Sequence, residues 1–293
     1  MLFKKILVPL DGSSLAELAL EPALALAQAM RGEVILLSVL VGQEPMDVAY
    51  YGFEVTPVPA EAGLQAEQQA IYRERLMNYL DSVHASRAGS GVLMRTMVME
   101  GDVARCLLET AVSEHVDLIV MGTHGRSGMS RWLLGSVTEK VLHHADCPVL
   151  AVRGQASLNR ILVLADSDLL SSQALDPGFA VAGALHARLD LLAAAAEAVG
   201  SLEEAFRQEE SYLEDLRERY HLDQPLQTAV RQGKPEDVIA VYSQEQATDL
   251  IVLAGHKRSG LKKWLSGSLF EKVLHKTICS LLVIPAADHD VAY

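Results

Sequence analysis

Residues 118–143 read Leu-Ile-Val-Met-Gly-Thr-His-Gly-Arg-Ser-Gly-Met-Ser-Arg-Trp-Leu-Leu-Gly-Ser-Val-Thr-Glu-Lys-Val-Leu-His. The opening apolar run, preceded by Asp117, predicts a buried strand. Gly122, Gly125 and Gly128 would let backbone N–H groups approach an anion with no Cβ in the way. Gly135-Ser136 then opens an amphipathic segment in which Val137, Val141 and Leu142 share one helical face. A helix N-terminus directly after a glycine-rich loop favours negative charge through its unpaired N–H groups and its dipole. From Gly122 to Ser136 the chain holds Arg126 and Arg131 and no acid, although its formal net charge is −13. That local reversal of sign suits a phosphate. The competing reading is a solvated loop that uses its glycines for turns.

The stretch occurs twice. A shift of 132 positions (267 − 135) carries Gly135-Ser136 onto Gly267-Ser268 and Arg126-Ser-Gly128 onto Arg258-Ser-Gly260. It also carries Glu139-Lys-Val-Leu-His143 onto Glu271-Lys-Val-Leu-His275, and Trp132 onto Trp264, the second of the protein's two tryptophans. The chain therefore reads as a tandem repeat of one nucleotide-binding-like domain.

The spacing Gly122-x2-Gly125-x9-Gly135-Ser136 resembles the ATP-binding signature of the universal stress protein family, and the resemblance to a two-domain member covers nearly the whole chain. It implies that Asp11, after the first strand, meets the adenine or its neighbourhood, and that the backbone of Val39 meets the adenine ring. Met121, Gly122, His124 and Gly125 match the loop that faces ribose and phosphate. Gly135, Ser136 and Val137 match the helix start that holds the phosphates, and Pro9 and Arg126 complete the expected contact set. Single-domain relatives pair through their last strand. Pro148–Val152 and Leu281–Ile284 are thus expected to pair as an intramolecular pseudo-dimer, with a homodimer as a further possibility.

At 293 residues, half of them hydrophobic and 22% charged, the chain is long enough for two globular domains with separate cores. We expect domains at 1–154 and 155–293. Cys106, Cys147 and Cys279 give no even framework and read as reduced thiols in a cytoplasmic protein. The sequence starts a strand at once, without a signal-peptide pattern, and no apolar run has the length of a membrane span. The acidic balance argues against nucleic acid as a general surface partner.

Strands are expected at Lys5–Leu10, Val34–Leu40, Leu93–Met99, 117–121 and Pro148–Val152. Helices between them are expected at about 13–30, 63–87, 102–115 and 135–145. Residues 43–62, with Tyr50, Tyr51 and Phe53, read as a loop over the site or an exposed crossover. The second half repeats the order from Ile161, with a helix interrupted or started late by Pro177. Strands alternating with helices predict an α/β fold: two tandem doubly wound domains, each with a five-stranded parallel sheet in the flavodoxin-like order 3-2-1-4-5 shared with adenine nucleotide alpha hydrolase-like proteins. In such sheets ligands bind beyond the carboxyl ends of the strands, where Asp11 and the glycine loop both fall.

Each chemical signal has a plainer alternative. Asp11 could cap the following helix, and Ser136 could be an N-cap. The loop lacks the lysine of a Gly-x4-Gly-Lys-Ser/Thr phosphate loop and a carboxylate placed for magnesium. No nucleophile, base and orienter assemble, so no catalytic or metal-ligating residue is assigned. The expected activity is ATP binding, with or without Mg²⁺, and at most weak ATPase, coupled to a protein partner in stress response. An adenine-nucleotide hydrolase or transferase, and a nucleotide-free interaction scaffold, are the alternatives. In the second half Ala254 replaces Gly122 and Lys257 replaces Gly125 while Gly267-Ser268 survives, which predicts a degenerate or altered site, the basic residues of 257–263 either taking an anion of another shape or forming a solvated face. His143-His144-x2-Cys147 lacks a second ligand pair and reads as structural. The acids of 201–220 read as a solvated helix face.

Overall fold

The structure, a computed structural model, describes residues 3–41, 62–123, 134–154, 158–165, 172–195, 201–220, 222–255 and 269–285. The chain folds as two compact units divided between His144 and Ala145.

The first unit alternates β1 (Lys5–Pro9), α1 (Ser14–Glu17), α2 (Leu20–Met30), β2 (Glu33–Leu40), α3 (Ala62–Ser86), β3 (Leu93–Glu100), α4 (Val103–Ser113), β4 (Leu118–Gly122) and α5 (Ser136–His144). Its strands pair in parallel with β1 between β2 and β4, and β3 outside β2. Central strands read Val-Ile-Leu-Leu and Leu-Ile-Val-Met because helices cover both faces, and Ile6, Leu7, Val34, Ile35, Leu36, Leu118 and Ile119 are fully buried.

One helix was expected over 13–30, and two form. Pro22 has no N–H to offer the carbonyl of Leu18, and the chain breaks at 18–19 before α2 resumes.

The second unit opens with β5 (Val149–Val152). It continues through β6 (Arg160–Leu164), α6 (Ser172–Leu185), β7 (Arg188–Ala195), α7 (Leu202–Arg219), β8 (Leu226–Gln232), α8 (Pro235–Glu245), β9 (Leu250–Gly255), α9 (Leu269–Lys276) and β10 (Ser280–Pro285). Strands β6 to β10 lie in the order β8-β7-β6-β9-β10, all parallel, which is the order expected of each repeat. The expected pairing of Pro148–Val152 with Leu281–Ile284 is present as β5 antiparallel to β10, with Leu282 opposite Leu150. Pro177 neither interrupts nor delays α6, which runs through it.

The duplication reaches below the sequence signal. Asp117 Oδ2 accepts the N–H groups of Lys4 and Lys5 at 2.9 Å, and Asp249 Oδ2 accepts those of Asn159 and Arg160 at 3.0 Å. Lys5 Nζ donates to Glu114 O at the end of α4, as Arg160 does to Gln246 O at the end of α8. A cation at a helix C-terminus meets both orphan carbonyls and the dipole. Gly101 and Gly233 take φ of +140° and +138° after β3 and β8, where a Cβ would approach Cys106 Sγ or Val238 Cγ2 closely. Their N–H groups reach across to Leu40 O and Ala195 O.

Arg153, after β5, is partly buried with no carboxylate paired to it among the described contacts. Its Nη1 donates to Leu274 O and Thr277 O at 2.6 Å, closing the end of α9. Burial holds its guanidinium below the usual range. The acidic face of α7 is largely solvated, and Ser201 caps that helix in a capping box with Glu204.

Candidate functional site

The carboxyl ends of β1, β2 and β4 converge in the first unit. Pro9 pairs with Leu37, and two residues on from the pair Leu7–Ile119 bring Pro9 level with Met121. Val39 on β2 and Met121 on β4 are buried, while Pro9, Asp11 and Gly122 are half-buried at the rim.

The turn after β1 is tightly determined. Leu10 N–H donates to Leu37 O, and the buried Ser38 hydroxyl donates to Leu10 O at 2.7 Å. Asp11 Oδ1 accepts the Ser13 N–H at 2.9 Å in an Asx turn, so Asp11 does not itself cap the helix. The helix cap itself is Ser13, whose hydroxyl accepts from Ala16 N–H. Gly12 sits between them at φ +81°, a torsion that favours glycine.

The other wall joins β4 to α5. Gly135 N–H donates to Thr123 O at 2.8 Å, and the buried Thr138 hydroxyl donates to Gly122 O at 2.9 Å. These two bonds hold the strand end and the helix start together across the intervening loop. Gly135 O accepts the Glu139 N–H, which makes Gly135 the capping position and Ser136 the first helical residue, with an exposed side chain. Ser136 is therefore not the N-cap. Val137 is half-buried beside it. The site at this helix start combines free N-terminal donors with the positive end of the dipole.

The structure thus brings Pro9, Asp11, Val39, Met121, Gly122, Gly135, Ser136 and Val137 to one end of one sheet. His124, Gly125 and Arg126 lie outside the described residues, as do Tyr50, Tyr51 and Phe53 of the long loop. Gly122 and Gly135 do not take positive φ, so any need for glycine at them is one of space.

Sequence reasoning missed Thr123 and Thr138, which are 4% and 3% exposed. For Thr138 a signal was available, since a threonine on the apolar face of a helix needs a hydrogen-bond partner, and the second repeat lacks both residues. With the 132-residue shift, Gly255 stands at Thr123 and Phe270 at Thr138. Gly255 is required there, since a Cβ would lie 2.9 Å from Val283 Cγ1. Phe270 is buried and offers no hydroxyl to the strand end. Ala254, at the place of Gly122, is an extended strand residue opposite Ile284 and tolerates its methyl. Lys257, Gly267 and Ser268 lie outside the described residues.

Tyr79 reaches this site from α3. Its hydroxyl donates to Glu17 Oε1 at 2.8 Å. Burial first, and then the Glu17 hydrogen bond and charge, push the phenol above its ordinary pKa.

Among the described residues, no group of three or more His, Cys, Asp or Glu side chains stands together to hold a metal ion. His144 Nδ1 lies 2.7 Å from Lys140 O, on its own helix. None of the three cysteines forms a disulfide, and Cys106 and Cys279 are buried. No described helix is long and apolar enough to cross a membrane.

The sequence model of the universal stress protein family matches residues 2–153 and again 157–285. The chain belongs to the universal stress protein family. It is a tandem member, since the match occurs twice. A universal stress protein of Methanocaldococcus jannaschii is 35% identical over 150 residues, half of this chain and 80% of that protein. A universal stress protein of Bacillus subtilis is 34% identical over 147 residues, half of this chain and 97% of that one. The crystal structure of a universal stress protein from Archaeoglobus fulgidus has a TM-score of 0.73 at 19% identity, covering 97% of this chain and 99% of its own. That likeness is one of fold.

Proposed function

We propose that this universal stress protein binds ATP in its first repeat and acts in the cytoplasm as a nucleotide-dependent regulator of a protein partner, with slow or no hydrolysis. The repeats are taken as 1–154 and 155–293. The observation that carries the reading is the junction of β4 with α5. There Gly135 N–H on Thr123 O and Thr138 Oγ1 on Gly122 O present a helix N-terminus at the carboxyl edge of the sheet. In doubly wound folds that edge is where ligands bind, and a helix start is suited to phosphate. The family signature Gly122-x2-Gly125-x9-Gly135-Ser136 supports the same placement.

In this reading Asp11 and the Val39 backbone take the adenine end, Met121, Gly122, His124, Gly125 and Arg126 the ribose and phosphates, and Gly135, Ser136 and Val137 the phosphate terminus. Pro9 shapes the floor. Binding is proposed over catalysis because the sequence motif offers no assembled set of nucleophile, base and orienter at the phosphates. The second repeat is proposed to be degenerate: Ala254, Gly255 and Phe270 replace the glycine and the two threonines of the first.

Calorimetric titration of the parent and of Gly135→Val with ATP tests the site. The parent should bind and Gly135→Val should not, with the thermal transition of the variant retained. Equal binding by both would remove the assignment.

A further inference from the structure

Tyr79 belongs to α3, outside the family signature, yet its hydroxyl faces the turn that carries Asp11. It donates to Glu17 Oε1, and the Glu17 N–H in turn bonds Ser13 O, the helix cap at the end of that turn. That hydroxyl ties α3 to the last residue of α1, and Glu17 carries the tie back to the turn. The next residue, Leu80, is fully buried, which fixes the helix face from which Tyr79 projects.

The turn itself contains Asp11 bonded to Ser13 N–H and Gly12 at positive φ, and it begins at Leu10, whose carbonyl is held by Ser38. The strand therefore secures one end of the turn, and the helix cap, braced by Tyr79 through Glu17, secures the other. The second repeat retains the residue. With a shift of 133 (212 − 79), Tyr79-Leu80-Asp81 falls on Tyr212-Leu213-Glu214, and Leu213 is buried as Leu80 is.

We infer that Tyr79 is a positioning residue of the nucleotide site, holding the Asp11-Gly12 turn through Glu17 and the Ser13 cap in the form that meets the nucleotide. This rests on the reading of the first repeat as the ATP site. Without the tie, the turn must be ordered at the moment of binding. Ordering one residue's backbone costs on the order of 1–2 kcal/mol, which corresponds to about tenfold in affinity.

The test uses the full chain with Tyr79→Phe, Glu17→Ala and Glu17→Gln. Two readouts are taken: ATP titration, and amide hydrogen exchange of the segment around Gly12 without nucleotide. Tyr79→Phe and Glu17→Ala should speed exchange in that segment and weaken ATP about tenfold, with the thermal transition retained. Glu17→Gln keeps an acceptor oxygen and should stay close to the parent in both readouts. A merely structural tyrosine would lower the melting temperature and leave ATP affinity at low temperature unchanged. Unchanged exchange around Gly12 in Tyr79→Phe overturns the inference, as does unchanged ATP affinity where the parent binds. If the parent binds no ATP, the site reading fails, and the exchange result alone decides whether Tyr79 holds the turn.

Discussion

Replacing Thr138 by valine would remove one hydroxyl and little else. The residue is 3% exposed, and its Oγ1 donates to Gly122 O at 2.9 Å. Valine keeps the β-branch and the volume, so no large cavity opens. What is lost is a hydrogen bond, worth about 0.5–1.5 kcal/mol net, together with an unmet acceptor that costs about 1–3 kcal/mol when fully buried. Gly122 is half-buried, so water reaches part of the exposed carbonyl and the lower end of that range applies. About 1 kcal/mol is expected, or a fall of roughly 2–4 °C in the melting temperature of the first repeat. Because the same bond ties the strand end to the helix start that is proposed to hold phosphate, ATP affinity should fall about fivefold. Urea unfolding and calorimetric titration measure the two effects, with Thr138→Ser as the control that restores the donor. If Thr138→Val kept both its stability and its ATP affinity, the junction would not be what holds the site together.

Steady-state turnover of ATP should lie below about 1 per second, under the range of ordinary enzymes; a rate inside that range would favour a hydrolase. Alkaline pH should weaken the second repeat through Tyr220, which hydrogen-bonds Asp176 and stacks on Phe179 at 4.0 Å. Burial, and then the Asp176 bond, push this phenol up to about 12 from an ordinary value of 10.0. The folded state thus keeps a proton that the unfolded state releases first. The stability it contributes is complete below pH 10 and is lost as pH rises through about 12. Urea midpoints measured across that window should fall in the parent and fall less in Tyr220→Phe; equal slopes would refute the assignment.

Much of the fold was legible in the sequence because the doubly wound sheet announces itself locally. Strands such as Val34–Leu40 are continuous apolar runs, and the 132-residue shift exposed the duplication through glycines and tryptophans. What escaped was tertiary. The Asp117 and Asp249 clamps on the start of β1 and β6 join residues more than eighty positions apart, and no local pattern marks them. The break before α2 was readable from Pro22, yet its counterpart Pro177 lies inside a continuous helix, so proline alone does not decide. In the site, the glycines and Asp11 stood out by type. Thr123, Thr138 and Tyr79 did not, since a buried threonine or a helical tyrosine acquires meaning only from the carbonyl or carboxylate it faces. The second repeat shows the same limit: Ala254 looked like an obstacle and is accommodated, while Phe270 in place of Thr138 removes a donor.

The central claim is that the first repeat alone carries a nucleotide site. Native mass spectrometry of the intact protein titrated with ATP tests it most directly. The expected result is a mass increment of one nucleotide per chain, lost in Gly135→Val. Two equivalent increments per chain, or none at saturating ATP, would contradict it.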